Sequence, residues 1–241
     1  MQAAISSRYP VDRHSQGLLL CPAGAFMVRI GMSSPSSTHS HHDLIRFGVM
    51  GSASHTFEQV VGENCRRLGR AIAESAYCLL TGACPGLPHE TVLGAKQVDG
   101  HTIGISPGSN LREHVDLYDS PYLEYDVMIY TGLGLMGREL INIRSSDIVV
   151  IVGGRTGTLG EFAIAHEEGK LIGVLQGTGG IADRLDDIEP YLNKNTGSIV
   201  VYDTEPNELV HALVSRYRGR QGTEPVSHRP ASSPMQAEPQ K

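Results

Sequence analysis

Residues 147–170 read DIVVIVGGRTGTLGEFAIAHEEGK, and this stretch decides the fold. It begins with an apolar run rich in β-branched residues, which is typical of a strand buried on both faces. Three glycines follow within five residues, and the segment after them has helical character. A buried strand, a glycine-rich turn and a helix form the repeating unit of parallel α/β sheets. The stretch therefore predicts an α/β fold with its turn at the carboxyl end of a strand.

The same alternation continues on both sides of this stretch. We predict a Rossmann-like α/β fold, with a single doubly wound, mainly parallel sheet of about seven strands and helices on both faces. The clearest helix is expected at 57–75, where apolar residues recur at helical spacing. The predicted strands are 45–50, 77–82, 101–106, 126–131, 147–152, 171–176 and 198–203.

The two ends of the chain differ from its middle in composition. Residues 1–43 and 218–241 are rich in Ser, Pro and other polar residues and show no sustained apolar period. Such segments cannot bury enough apolar surface to order themselves. We therefore expect a disordered N-terminal segment at 1–43, one nucleotide-binding domain at 44–217, and a disordered C-terminal tail at 218–241.

Charge and hydropathy limit the partners. The 241 residues carry a formal net charge of −6, and no block of Lys and Arg provides the basic patch typical of nucleic-acid binding. No apolar run approaches the roughly 18 residues of a membrane span. We expect a cytoplasmic protein with a small-molecule partner, no nucleic acid and no membrane.

Cysteine and histidine usage gives no sign of a metal site. The four cysteines form no CxxC pair, so reduced thiols are expected. The densest histidine group, His39, His41 and His42, lies in a polar stretch without partner residues at ligand spacing. We predict no metal and no resident cofactor.

Five glycine-bearing loops follow the predicted strands at 50–54, 81–86, 106–110, 131–137 and 152–158. Because the carboxyl ends of parallel strands meet at one edge, these loops are expected to line a ligand crevice. Gly157 and Thr158 stand at a predicted helix start, where free N–H groups and the helix dipole favour phosphate. The long segment 106–126 holds three tyrosines, Tyr118, Tyr122 and Tyr125, and is either a base-stacking lid or a surface loop.

One loop, GLGLMG at 132–137, fits the GxGxxG pattern of dinucleotide-binding folds. That fingerprint also requires an acidic residue about 20 positions later, at the end of the next strand, to bind the ribose hydroxyls. The next predicted strand ends in IVGG instead. A nicotinamide site is therefore disfavoured.

Glu161 has two possible roles. Together with Thr158 it matches the capping-box spacing, in which the glutamate satisfies a free N–H at a helix start. Alternatively, it is a site residue acting with Arg138, because both are expected at the same rim of the sheet.

At this point the chain resembles the lonely-guy (LOG) and DNA-processing-protein-A-related Rossmann superfamily. The family signature is PGGxGTxxE, preceded by a helix bearing ERK. Aligned without gaps on Glu161, the stretch from Gly153 to Thr158 occupies the signature, and Arg138 falls on the family's catalytic arginine. The loops MGSAS and TGACPG resemble the family's phosphate-side loops. The resemblance implies phosphate or nucleotide binding by Gly51, Ser52, Gly82, Gly153, Gly154, Arg155, Thr156, Gly157 and Thr158.

The resemblance also implies an activity. In the family's enzymes a nucleoside 5′-monophosphate loses its base by hydrolysis of the N-glycosidic bond, with Glu161 and Arg138 in the catalytic positions and a homodimer as the assembly. The alternative is a carrier or sensor of a phosphorylated nucleotide or cofactor, similar to molybdenum-cofactor carrier proteins in the same superfamily.

Three departures from the signature place the chain in an outlying branch. Gly137 and Glu139 replace the glutamate and lysine of ERK, and Arg155 replaces the second glycine. A guanidinium can make a bidentate contact to an anion. We hypothesise that Arg155 supplies the phosphate-binding charge that is lost where Glu139 replaces lysine.

Overall fold

The computed structural model describes residues 44–192 and 194–221, in which strands and helices alternate. The strands are β1 (Arg46–Gly51), β2 (Cys78–Thr81), β3 (Thr102–Ser106), β4 (Val127–Tyr130), β5 (Ile148–Val152), β6 (Leu171–Leu175) and β7 (Ile199–Asp203). The helices are α1 (Gln59–Glu74), α2 (Leu87–Lys96), α3 (Leu111–Asp116), α4 (Gly134–Ser145), α5 (Thr156–Glu167), the short α6 (Leu185–Ile188) and α7 (Pro206–Gln221).

The seven strands form one parallel sheet in the order β4-β3-β2-β1-β5-β6-β7. The predicted Rossmann-like fold is confirmed, and no strand end lies more than one residue from its predicted position. Alternating strands and helices made this outcome predictable, because parallel neighbours need a crossover helix between them.

The sheet is covered on both faces. All five residues of β5 are fully buried, as expected for a central parallel strand. In β1, Phe47 packs in the layer that includes Leu68 of α1, whereas Met50 packs in the layer that includes Ile143 of α4 and Phe162 of α5. These two apolar layers hold the helices and fix where each strand ends.

The strand order reverses between β1 and β5. From β1 the chain builds outward through β2 and β3 to β4, and then returns through α4 to β5 on the other side of β1. At such a switch point the loops that follow the two strands diverge and leave a crevice. Here those loops begin at Ser52 and Gly153.

The C-terminal boundary differs from the prediction. α7 continues to Gln221, beyond the predicted domain end at residue 217. Polar contacts hold its last turn, since Arg218 donates to the Tyr77 hydroxyl at 2.7 Å and Arg220 donates to the Gly197 carbonyl at 2.7 Å. The apolar periodicity that guided the prediction contains no trace of these contacts. The predicted disorder of 1–43 and of the remaining tail lies outside the described residues.

Candidate functional site

The turn between β5 and α5 is fixed from behind by the loop that follows β6. The Gly153 N–H donates to Thr178 Oγ1 at 2.9 Å, and the carbonyls of Gly153 and Gly154 accept from the N–H groups of Ala182 and Ile181. Gly153 and Gly154 have φ values of +57° and +94°, which side chains rarely adopt. A methyl group on Gly154 would also overlap Thr158 Oγ1. Glycine is therefore required at this position.

The same turn leaves a run of backbone donors open. No described residue accepts a hydrogen bond from the five successive N–H groups of Gly154 to Thr158. The last three of these belong to the first turn of α5, which begins at Thr156. Free N–H groups at a helix start, together with the helix dipole, make a site for an anion.

The first turn of α5 excludes the capping role considered for Glu161. Arg155 precedes the first helical residue, so Thr158 lies inside the helix and is not its cap. Glu161 is buried, with 7% of its surface exposed, and receives no hydrogen bond from any described residue. Its side chain is therefore available for another role.

Gly51 and Ser52 lie directly beside this turn. The Ser52 N–H donates to the Val152 carbonyl at 3.2 Å, and the Ser52 carbonyl accepts from the Leu87 N–H at 2.9 Å. The Ser52 Cβ lies 3.6 Å from where a Cβ on Gly153 would stand. The structure thus brings together the predicted site residues of the β1 and β5 loops.

Arg138 of α4 lies behind the crevice with 7% of its surface exposed. Its Nη1 donates to the carbonyls of Gly82 and, at 3.1 Å, Ile105, while Nη2 donates to Cys84 Sγ at 3.2 Å. A methyl group on Gly82 would overlap this guanidinium. Gly82 therefore makes room for the Arg138 guanidinium and accepts a hydrogen bond from it. A role for Gly82 in phosphate binding stays a prediction.

Glu139 is the site residue that sequence reasoning did not select. It is as buried as Glu161, and its carboxylate lies over the first turn of α5, 3.7 Å from the points where a Cβ on Gly157 or Gly160 would stand. Two features of the sequence could have identified Glu139, namely its position next to Arg138 and the two glycines on α5 that leave room for its carboxylate. In the sequence, Glu139 stands out only as a departure from the family signature.

The two carboxyl groups share a poorly solvated space. Burial raises the pKa of Glu161 to about 8, the nearby Glu139 adds to this shift, and Arg138 opposes it. Burial also raises the pKa of Glu139, again opposed by Arg138. Because the charged form is disfavoured at both residues, Glu161 holds its proton at neutral pH.

Two other predicted features have different outcomes. The side chain of Arg155 is exposed and makes no hydrogen bond or ion pair with a described residue, and the φ of −133° at Arg155 suits any side chain. Its phosphate contact stays a prediction. The lid of three tyrosines is wrong for Tyr125, which is buried with its hydroxyl 2.9 Å from Thr81 Oγ1.

Metal-ligand clusters and membrane-spanning helices are both absent from the part of the chain that the structure describes. No group of three or more His, Cys, Asp and Glu side chains there could hold a metal ion, and the predicted absence of a site at His39, His41 and His42 lies outside that part. None of the helices there is long and apolar enough to cross a bilayer.

The family follows from the sequence match. A model of the SLOG cluster4 family matches residues 44–210, and this protein belongs to that family. The predicted resemblance to the LOG and DNA-processing-protein-A-related superfamily, in a branch related to molybdenum-cofactor carriers, is confirmed.

Two similar solved structures are molybdenum-cofactor proteins. The molybdenum cofactor binding protein of the phototrophic bacterium Rippkaea orientalis is 29% identical, with a TM-score of 0.58 over 71% of this chain and 96% of that one. The molybdenum cofactor carrier protein of Chlamydomonas reinhardtii is 28% identical, with a TM-score of 0.58 over 73% of this chain and 99% of that one.

A third similar structure corrects the expected partners. DNA processing protein A from Helicobacter pylori, which binds single-stranded DNA, is 16% identical, with a TM-score of 0.51 over 72% of this chain and 82% of that one. This likeness shows the fold alone. The exclusion of nucleic acid was nevertheless wrong, because a protein of this fold binds it and the net charge of a whole chain does not describe one surface.

Proposed function

We propose that this member of the SLOG cluster4 family binds a phosphorylated nucleotide or nucleotide-like cofactor and acts as its carrier. The observation that carries the proposal is the run of five unpaired N–H groups from Gly154 to Thr158 at the switch point of the sheet. A phosphate placed there receives several backbone hydrogen bonds and the favourable field of α5. Ser52 borders the same space.

Glu161 and Arg138, the buried residues behind the turn, are not set to stabilise a cationic transition state. Hydrolysis of an N-glycosidic bond passes through a cationic, oxocarbenium-like state that an ionised carboxylate stabilises. Burial keeps the pKa of Glu161 at about 8, so this carboxyl is neutral near pH 7. The Arg138 guanidinium donates from Nη1 to the carbonyls of Gly82 and Ile105 and from Nη2 to Cys84 Sγ, and only its Nε has no partner among the described residues.

Hydrolysis of a nucleoside 5′-monophosphate to its base and ribose 5-phosphate is the second candidate function, and the protonation of Glu161 favours it in a different way. A general acid works best when its pKa lies near the working pH. A carboxyl with a pKa of about 8 can donate a proton to a departing base. In this reading Glu161 is the catalytic acid, and the positive charge of Arg138 acts on its pKa.

One experiment separates the two functions. The purified protein is titrated calorimetrically with ribose 5-phosphate and AMP, and each nucleoside 5′-monophosphate is then incubated with it and assayed for free base. We expect heat of binding and no base release. Base release that is lost in Glu161→Gln would establish the hydrolase instead, whereas no binding of either compound at millimolar concentration would refute the phosphate site.

We also propose that the protein is a homodimer. An exposed apolar surface runs from the edge strand β4 to α4, and its side chains are Val127, Ile129, Leu133, Leu135, Met136 and Leu140. Large exposed apolar surfaces mark interaction sites. Light scattering should give twice the chain mass, and Met136→Glu should give a folded monomer. A monomeric wild type would refute this assembly.

A further inference from the structure

A separate cavity lies next to the phosphate turn. It has a volume of about 400 Å³, is open to solvent, and is bordered by the loop before α1, the first turn of α2 and the segment after α3. This size falls within the range of small-molecule sites. Its lining is mixed, with the apolar Phe57, Val115 and Pro121 beside the titratable His89, Glu90 and Asp119.

The cavity is joined to the turn by direct contacts. Gly86 lines the cavity, and its Cα packs so closely on the Ser52 carbonyl that a side chain there would overlap it. Ser52 in turn lies against Gly153. Ser52 and Gly86 therefore lie between the cavity and the turn, and a ligand that reaches both has to pass over these two residues.

His89 supplies the unsatisfied polar group of this cavity. Its Nδ1 is buried and has no hydrogen-bond partner in the described part of the chain, while Nε2 lies 3.9 Å from Glu124 Oε2. Burial lowers the pKa of His89, so the ring is neutral near pH 7. With the proton on Nε2, facing the Glu124 carboxylate, Nδ1 is an acceptor without a donor.

An unpaired buried acceptor costs free energy that a ligand N–H would recover. Nδ1 is covered by protein atoms, so the imidazole has to turn about its χ2 bond to present Nδ1 to the cavity. The ring borders the open space of the cavity, which gives it room to do so. The apolar part of the lining can pack against an aromatic ring.

We propose that this cavity is the base subsite and that His89 selects a purine-sized nitrogen heterocycle bearing an N–H donor. The inference rests on the proposed phosphate-binding function, because the phosphate anchors the ligand whose ring enters the cavity. Ser52 and Gly86 set the distance between the two subsites.

The test is a calorimetric titration of the full chain with three probes: ribose 5-phosphate, AMP, and purine ribonucleoside 5′-monophosphate, which lacks the exocyclic amine. Wild type should bind AMP at least tenfold more tightly than ribose 5-phosphate, because the apolar part of the lining packs against the ring. It should bind AMP about three- to tenfold more tightly than the analogue without the amine, which is the range for one hydrogen bond.

Variants assign the preference to His89. His89→Leu should bind AMP and the analogue equally, with unchanged affinity for ribose 5-phosphate. His89→Asn should keep the preference, because the amide oxygen stands near the position of Nδ1, and circular dichroism checks that both variants fold. His101→Leu, at the opposite end of the sheet, is the matched control.

Each outcome decides the proposal. If ribose 5-phosphate binds and AMP binds no more tightly, the base subsite is refuted while the phosphate site stands. A preference for AMP that survives in His89→Leu refutes the role of His89. Failure of both compounds to bind refutes the phosphate site and the base subsite together.

Discussion

Two glycine-rich loops at the same edge of the sheet use glycine for different purposes. In the loop 82–86, glycine makes room: Gly82 accepts the Arg138 guanidinium and Gly86 lies against the Ser52 carbonyl. In the turn 153–158, Gly153 and Gly154 have positive φ, as Gly86 does, but here the glycines lead directly into the first turn of a helix. The first loop therefore makes room for a buried side chain, whereas the second presents consecutive backbone donors.

The N–H groups show the difference most clearly. In the first loop, the Ala83 N–H donates to Thr81 Oγ1 and Pro85 has no N–H, so the N–H groups of Gly82, Cys84 and Gly86, unpaired within the described part of the chain, are separated from one another. In the second turn, the N–H groups from Gly154 to Thr158 have no acceptor among the described residues. The second turn therefore differs in presenting an unbroken run of unpaired N–H groups that continues into the first turn of a helix.

The largest effect is expected for Gly82→Ala. The added methyl group would displace the buried Arg138 guanidinium and leave two carbonyls without a donor. Breaking such a buried charged contact costs about 3–5 kcal/mol, measured as a loss in the free energy of unfolding in urea. In an Arg138→Met background the same change should cost under about 1 kcal/mol.

This cycle also tests the comparison of the two loops. Gly82→Ala should leave the affinity of the folded protein for ribose 5-phosphate unchanged. A stable variant that no longer binds ribose 5-phosphate would show that Gly82 contacts the phosphate, and the two loops would then have the same use.

The next largest effect is expected for Glu161, which lies near Arg138. Its pKa in the folded state is about 8, against about 4.3 in an unfolded chain. The folded state therefore binds the Glu161 proton more tightly than the unfolded chain does. The contribution of this proton to the free energy of unfolding is complete below about pH 4 and is lost as the pH rises to about 8.

Glu161→Gln should remove that dependence. Relative to wild type, the variant should gain about 2 kcal/mol or more in the free energy of unfolding between pH 5 and pH 8.5, measured by urea titration at each pH. Glu74→Gln, at an exposed position on α1, is the control. A difference between Glu161→Gln and wild type that does not change with pH would mean that Glu161 is ionised in the folded protein.

Gly154→Ala tests the second loop directly. The new side chain would be strained at a φ of +94° and would overlap Thr158, which reorganises the open N–H groups. We expect the affinity for ribose 5-phosphate to fall at least tenfold, about 1.4 kcal/mol, by calorimetry. Gly197→Ala is matched for strain, with a φ of +79° and open space around it, and should bind normally.

The sequence predicted the fold and the position of the crevice, but only part of its chemistry. Strand positions follow from apolar runs, and the edge follows from parallel topology, so the turn at Gly153 was predictable. The role of Gly82 was not predictable, because it depends on which distant side chain fills the space beside Gly82, and here that side chain is Arg138. The shared burial of Glu139 and Glu161 likewise depends on how α4 packs on α5, which periodicity does not encode.

The smallest effect is expected for Arg155, whose side chain is exposed beside the open N–H groups. We predicted that its guanidinium contacts the phosphate. Because water competes at an exposed position, an ion contact there contributes only about 0.2–1 kcal/mol. Arg155→Ala should thus weaken binding of ribose 5-phosphate about two- to fivefold in low salt, and the loss should shrink in high salt because salt screens exposed charges. Alanine suits the test because the φ of −133° needs no glycine. Equal affinity of wild type and Arg155→Ala at both salt concentrations would show that the backbone of the turn binds the phosphate without a side-chain charge.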